Sequence, residues 1–76
     1  MNSPDKIVIY SRSGCSRCVS AEQYLNQRDI SFSKEDIDKH RTRIMRENPQ
    51  IKKLPVVEVN EKVIGSYEEL VNYIKG

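Results

Sequence analysis

Apolar residues along the chain change their spacing at intervals, and each change marks an element. Ile7-Val8-Ile9-Tyr10 is an unbroken β-branched and aromatic run, the pattern of a strand buried on both faces. Ser11-Arg12-Ser13-Gly14 ends it in a loop with the character of a helix start. From Cys15 the period becomes helical: Cys18, Ala21 and Leu25 fall on one stripe, and Asn26 to Asp29 closes the helix. Ile30, Phe32 and Ile37 mark a second strand, whose register stays open because Lys34-Glu35-Asp36 interrupts the apolar pattern. Asp38 is placed to N-cap a second helix containing Ile44 and Met45. Asn48-Pro49 stops that helix, since the residue before proline is pushed out of the α region. Val56-Val57-Glu58-Val59, the turn Asn60-Glu61 and Lys62-Val63-Ile64 predict a hairpin. Gly65 breaks that pattern, and Ser66 with Glu69 three residues later forms a capping box. It opens a last helix with Tyr67, Leu70, Val71 and Ile74 on one face. The order is β-α-β-α-β-β-α, an α/β architecture in which a four-stranded sheet is flanked by helices.

Composition narrows what such a fold does. At 76 residues the chain has room for one domain, spanning 1–76; a chain this short buries only about 60% of its unfolded surface. Hydrophobic residues make up 37% and charged residues 32%, a globular rather than disordered balance. The net charge of +2 mixes both signs and argues against a nucleic-acid partner. The basic run Lys39-His40-Arg41-Thr42-Arg43 with Arg46 is spaced around a helix without aromatics for stacking, which makes it a solvated face. No apolar run approaches the roughly 20 residues that span a bilayer, and no signal peptide is expected from the polar stretch Met1 to Lys6. No membrane association is expected, and the expected compartment is the cytosol.

Cysteine spacing supplies the chemistry. The only two cysteines stand in Cys15-Ser16-Arg17-Cys18. A bridge between residues this close contributes little as a staple, whereas CxxC after a strand-to-helix junction is a redox signal. The attacking species in disulfide exchange is the thiolate, and an unperturbed thiol near pKa ~8.5 is only about 3% ionised at pH 7. At Cys15 the free N–H groups of the first helical turn, with Arg17 and Arg12 nearby, favour the anion. Cys18 lies a turn further in, on the stripe facing the core. Cys15 is therefore expected to attack a substrate disulfide, and Cys18 to displace the product from Cys15. Half a zinc site is the bland alternative, but tetrahedral zinc needs four ligands. The only histidine, His40, is expected on another helix.

Leu54-Pro55 precedes a predicted strand. From the residues alone this bond is expected trans, because only about 5–6% of X–Pro bonds in folded proteins are cis.

Together these pieces resemble the glutaredoxin family of the thioredoxin fold. The resemblance covers nearly the whole chain: Ile7 to Arg12, Cys15-Ser16-Arg17-Cys18, Glu35-Asp36-Ile37-Asp38, Leu54-Pro55-Val56-Val57 and Ile64-Gly65-Ser66. It implies a mixed four-stranded sheet, with the first and last helices on one face and the middle helix on the other. It also implies that Pro55 is cis and faces the cysteines. By the same resemblance Arg12 would pair with a glutathione carboxylate, Leu54 would make main-chain bonds, Gly65 and Ser66 would lie near the γ-glutamyl end, and Glu68 would hold its amine. Arg12, Arg17 and Lys53 would converge around the site. Lys53 stands where a threonine is usual, Ile64 replaces the first of two glycines, and Ser16-Arg17 replaces Pro-Tyr.

The resemblance implies a monomeric dithiol reductase of protein disulfides or glutathione mixed disulfides, with no tightly bound cofactor and glutathione as cosubstrate. The chain is also similar to redoxins that take electrons from thioredoxin reductase and serve enzymes such as ribonucleotide reductase. A rival of another class is a dimer sharing an iron–sulfur cluster or metal through Cys15, as some glutaredoxins do.

Overall fold

The computed structural model describes residues 6–51 and 53–75; Met1 to Asp5, which belong to the polar lead, lie outside the described residues. Strand β1 (Ile7–Ser11) sends successive side chains to opposite sides, and both sides are covered, so all five residues are buried. It pairs in parallel with β2 (Ser33–Asp36) and antiparallel with β3 (Val56–Val59), which forms a hairpin with β4 (Lys62–Gly65). The sheet order is β2-β1-β3-β4. Helices α1 (Ser16–Gln27), α2 (Arg41–Glu47) and α3 (Tyr67–Lys75) complete the expected order.

Two cores arise from the alternation. Ile7, Ile9, Val57 and Val59 pack on one side against Ala21 and Leu25 of α1 and Leu70 of α3. Val8, Tyr10 and Val56 pack on the other against Ile37 and Ile44. The first and last helices thus share one face and the middle helix holds the opposite one. On that second face Tyr10 donates to the buried Glu58 (2.8 Å) and accepts from Arg43 (3.2 Å), so the polar atoms there are paired.

Helix α1 ends in a Schellman motif. The Ile30 N–H returns to the Leu25 carbonyl (3.0 Å), that of Asp29 returns to Asn26 (3.2 Å), and Asp29 takes the left-handed conformation. Asn60 and Glu61 both have positive φ (52° and 70°), the geometry of a two-residue hairpin turn whose twist matches its strands.

Two expectations are corrected. The second strand is the polar segment Ser33–Asp36 itself, exposed throughout. Ile30 and Phe32 pack before it on the α1–α3 core, and Ile37 follows it into the other core. An edge strand needs only its backbone ladder, and exposed charge on it discourages pairing with other chains. Asp38 does not cap α2. Asp36 instead caps a single 3₁₀ turn (Ile37–Lys39) by accepting the Asp38 N–H at 3.0 Å, while α2 starts after His40 without a side-chain cap. Asp38 pairs with Arg41 (2.9 Å) one turn on.

Gly65 ends β4 rather than merely breaking it. Its φ of 138° suits glycine, and a Cβ there would lie 2.5 Å from Glu69 Cγ. Glu69 cannot simply move aside, because its carboxylate accepts the Ser66 N–H (2.8 Å) as the returning half of the capping box. Gly65→Ala is expected to destabilise the fold by about 1–3 kcal/mol, visible as a lower denaturant midpoint with an unchanged slope. An unaltered midpoint would mean that β4 and α3 can re-pack freely around the junction.

Candidate active site

Gly14, at φ +79°, turns the chain out of β1 and delivers Cys15 to the N-cap of α1. Cys15 has extended backbone (φ −92°, ψ 106°), and its Sγ accepts the backbone N–H of Cys18 at 3.2 Å. One of the free N–H groups at the start of the helix therefore does point at this sulfur. Cys15 is part-exposed, whereas Cys18 is only 1% exposed. Burial pushes the Cys18 thiol up to about 12; its hydrogen bond with Cys15 adds to the rise, and the Arg12 backbone N–H opposes it.

The Leu54–Pro55 bond is cis and Pro55 is buried, so the expectation drawn from the family holds over that drawn from residues alone. The Leu54 carbonyl is taken by Arg17. From the first turn of α1, Arg17 Nε donates to Leu54 O (3.0 Å), and its Nη2 donates to Ser66 Oγ (3.3 Å) and to Glu68 Oε1 (2.7 Å). One guanidinium thus ties the CxxC segment to the loop before β3 and to the start of α3. The hydrogen bond from Arg17, with the Glu68 backbone N–H assisting, holds the Glu68 carboxyl down at about 2.

Four of the expected binding residues, Arg17, Leu54, Ser66 and Glu68, are brought together by this brace, with Gly65 and Pro55 adjoining them in the chain. Arg12 lines the depression that holds both cysteines, and also a cavity of about 390 Å³ together with Lys53 and Arg41, over an apolar wall that includes Met45 and Leu54. Arg17 pairs with Glu68, whose carboxyl also feels the charge of Lys53, and Lys53 in turn shares a cavity with Arg12. A larger cavity of about 630 Å³ has Lys53, Ile64, Gly65, Ser66 and Glu68 among its lining residues, with the Ile64 side chain in its wall.

Sequence reasoning missed Arg41, Glu22 and Lys34. Glu22 and Lys34 line the same depression as both cysteines. The spacing of Glu22, four residues after Cys18 on a helix, was an available signal. His40 lies at the start of α2, edge-on to Tyr10 and 3.6 Å from Glu35. Among the described residues no group of three or more His, Cys, Asp and Glu side chains is placed to hold a metal ion, and no helix is long and apolar enough to cross a membrane.

The family model for glutaredoxin matches residues 7–64. The chain belongs to the glutaredoxin family. Comparison with curated protein sequences gives no match. Among solved structures, glutaredoxin 1 from Francisella tularensis superposes with a TM-score of 0.72 at 25% identity, over 93% of each chain. A wheat glutaredoxin gives 0.72 at 28% identity, over 92% of this chain and 71% of its own. The glutaredoxin-like NrdH-redoxin from Escherichia coli gives 0.70 at 21% identity, over 91% of this chain and 93% of its own, a likeness of fold. This glutaredoxin is a thiol redox fold with its two cysteines in CxxC spacing at the start of a helix.

The Arg17–Glu68 pair carries a pH signature. A carboxyl lowered from the ordinary 4.5 to about 2 contributes stability that is present above 4.5 and lost as pH falls through 2. A carbon-13 NMR titration is expected to place the Glu68 midpoint near 2, and to return it to the ordinary carboxylate range in Arg17→Met. An ordinary midpoint in the unaltered protein would show that the brace does not persist in solution.

Proposed function

We propose that residues 1–76 form a single glutaredoxin-like domain that reduces protein disulfides or glutathione mixed disulfides through a dithiol couple. The observation that carries this is the asymmetry of the two sulfurs. One is accessible at the tip of a helix, where it accepts a backbone N–H. The other is buried one turn below, with its proton held tightly.

In the first step the Cys15 thiolate attacks one sulfur of R–S–S–R′, forming Cys15–S–S–R and releasing R′–S⁻, which is protonated by water. In the second, Cys18 gives up its proton as its sulfur attacks Cys15, the S–S bond between Cys15 and R breaks, R–S⁻ leaves and takes up a proton, and a Cys15–Cys18 disulfide remains. Two electrons pass from the protein to the substrate, and a reductant must return them. Leu54 and Pro55 would flank the substrate sulfur, while Arg12, Arg17, Gly65, Ser66 and Glu68 would form its polar surroundings. Such a couple works where thiols are kept reduced, which supports a cytosolic setting.

The source of electrons is a separate matter, and the Arg17 brace bears on it. The Leu54 carbonyl, Ser66 hydroxyl and Glu68 carboxylate that would receive glutathione already accept hydrogen bonds from Arg17. This occupancy favours a protein reductase of the thioredoxin reductase kind over glutathione, and protein disulfides over glutathione mixed disulfides.

Cys15→Ser is expected to abolish disulfide reduction, and Cys18→Ser to accumulate a mixed disulfide at Cys15 that intact-mass spectrometry detects. Full activity in Cys15→Ser would overturn the assignment of the attacking sulfur. With NADPH consumption as the readout, thioredoxin reductase is expected to reduce the oxidised protein faster than glutathione with glutathione reductase; the reverse order would overturn the reading of the brace.

A further inference from the structure

Cys18 can attack only after surrendering its proton, and its buried thiol holds that proton well above neutrality. A group able to take it must reach the depression that the two sulfurs share, a cavity of about 300 Å³ at the start of α1. Outside the CxxC segment its charged lining comes from three elements: Arg12 after β1, Glu22 of α1 and Lys34 of β2. Arg12 and Lys34 are cations and already carry their protons. Among the described residues Glu22 is the one carboxylate lining it.

The position of Glu22 suits the task. It follows Cys18 by four residues on α1, and helical Cα–Cβ bonds tilt towards the N-terminus. A long side chain at that spacing lies back over the turn that holds Cys18. The Glu22 side chain is 17% exposed, so it is largely withdrawn from solvent, and Lys34 Nζ stands 3.5 Å from its Oε2. Lys34 is fixed opposite Ile9 in the β1–β2 ladder, which anchors the cation from the far side of the depression. The charge of Glu22 is also felt at the Cys18 sulfur. The other acidic groups nearby, Glu35, Asp36 and Asp38, line an adjoining depression with Arg12 and Lys34, where neither cysteine is exposed. Glu35 there faces His40, and Asp38 is paired with Arg41.

We propose that Glu22 is the proton acceptor for Cys18 in the resolving step, with Lys34 holding the carboxylate turned into the depression. The proposal rests on the dithiol reading of the site. The Cys18 S–H proton passes to the Glu22 carboxylate as the sulfur forms its bond to Cys15. The S–S bond between Cys15 and the sulfur of R breaks, and its electron pair leaves with R–S⁻. The Glu22 carboxylic acid then returns the proton to R–S⁻ or to water, so the carboxylate is regenerated. Cys18 is oxidised, the sulfur of R is reduced, and no further reactant is needed.

The two steps can be timed separately by stopped flow with 5,5′-dithiobis(2-nitrobenzoate) and the reduced protein. The first equivalent of coloured thiolate is released at a rate proportional to reagent concentration, as Cys15 attacks. The second is released at a rate independent of it, as Cys18 resolves. In Glu22→Gln, a near-isosteric change, the ratio of the second rate to the first is expected to fall by at least about tenfold. The second rate should then rise about tenfold per pH unit across the neutral range, because hydroxide must remove the proton, whereas in the unaltered protein it stays nearly level there. Glu22→Asp, which keeps a carboxylate, is expected to recover part of the ratio and the level profile. An unchanged ratio, or both rates falling together with the pH profile unmoved, would overturn the role of Glu22. Absence of the first phase from the unaltered protein would instead remove the dithiol reading beneath it.

Discussion

A sulfur atom caps the first helix, and the rest of the molecule is arranged around that substitution. Serine, threonine, asparagine and aspartate are the usual N-caps because their oxygens accept strongly from the opening N–H groups. Cys15 accepts the Cys18 N–H with a softer and weaker acceptor. The first turn of α1 contains no acidic residue to answer the helix dipole, and it contains Arg17, a cation at the wrong end. Local sequence therefore gives α1 a poor beginning. Packing holds it instead: Cys18, Ala21 and Leu25 are fully or almost fully buried against the sheet, and Glu68, an acid placed favourably in the first turn of α3, reaches across to neutralise Arg17. The chemistry at Cys15 is possible because tertiary structure has taken over what a good cap would have done.

The same economy governs the sheet. In a chain of this size, one central strand must serve both layers. β1 is buried along its length and donates alternate residues to two cores, so α1 with α3 and α2 with its preceding turn can each pack on the same few residues. Its end is also the start of the site. The ordering that β1 imposes on Ser11 and Arg12 is passed on to Cys18, whose thiol the Arg12 backbone N–H draws down against the rise from burial.

Much of this was legible in the chain. Strong periodicity announced β1, α1, the hairpin and α3, since those segments bury whole faces and their apolar residues must fall in step. The buried stripe of α1 consists of the residues that its spacing singled out. What escaped was structure that burial does not dictate. β2 is an exposed edge held by backbone bonds, so its side chains carry no period. The cap before α2 fell to Asp36 rather than Asp38 because a short 3₁₀ turn intervenes, and turn chemistry of one or two residues leaves little trace in composition. At the site, CxxC and Pro55 were visible as motifs. The hold of Arg17 on Leu54, Ser66 and Glu68 spans 37 to 51 residues of sequence and no local pattern encodes it. Arg41 and Lys34 are ordinary surface charges until the fold carries them beside the loop.

The exposed edge has a meaning of its own for how the molecule meets other chains. Ser33-Lys34-Glu35-Asp36 offers a neighbouring chain a row of backbone groups but no greasy surface with which to keep it. The same segment sends Lys34 to the depression that holds both cysteines, so a charged, non-adhesive edge borders the sulfurs.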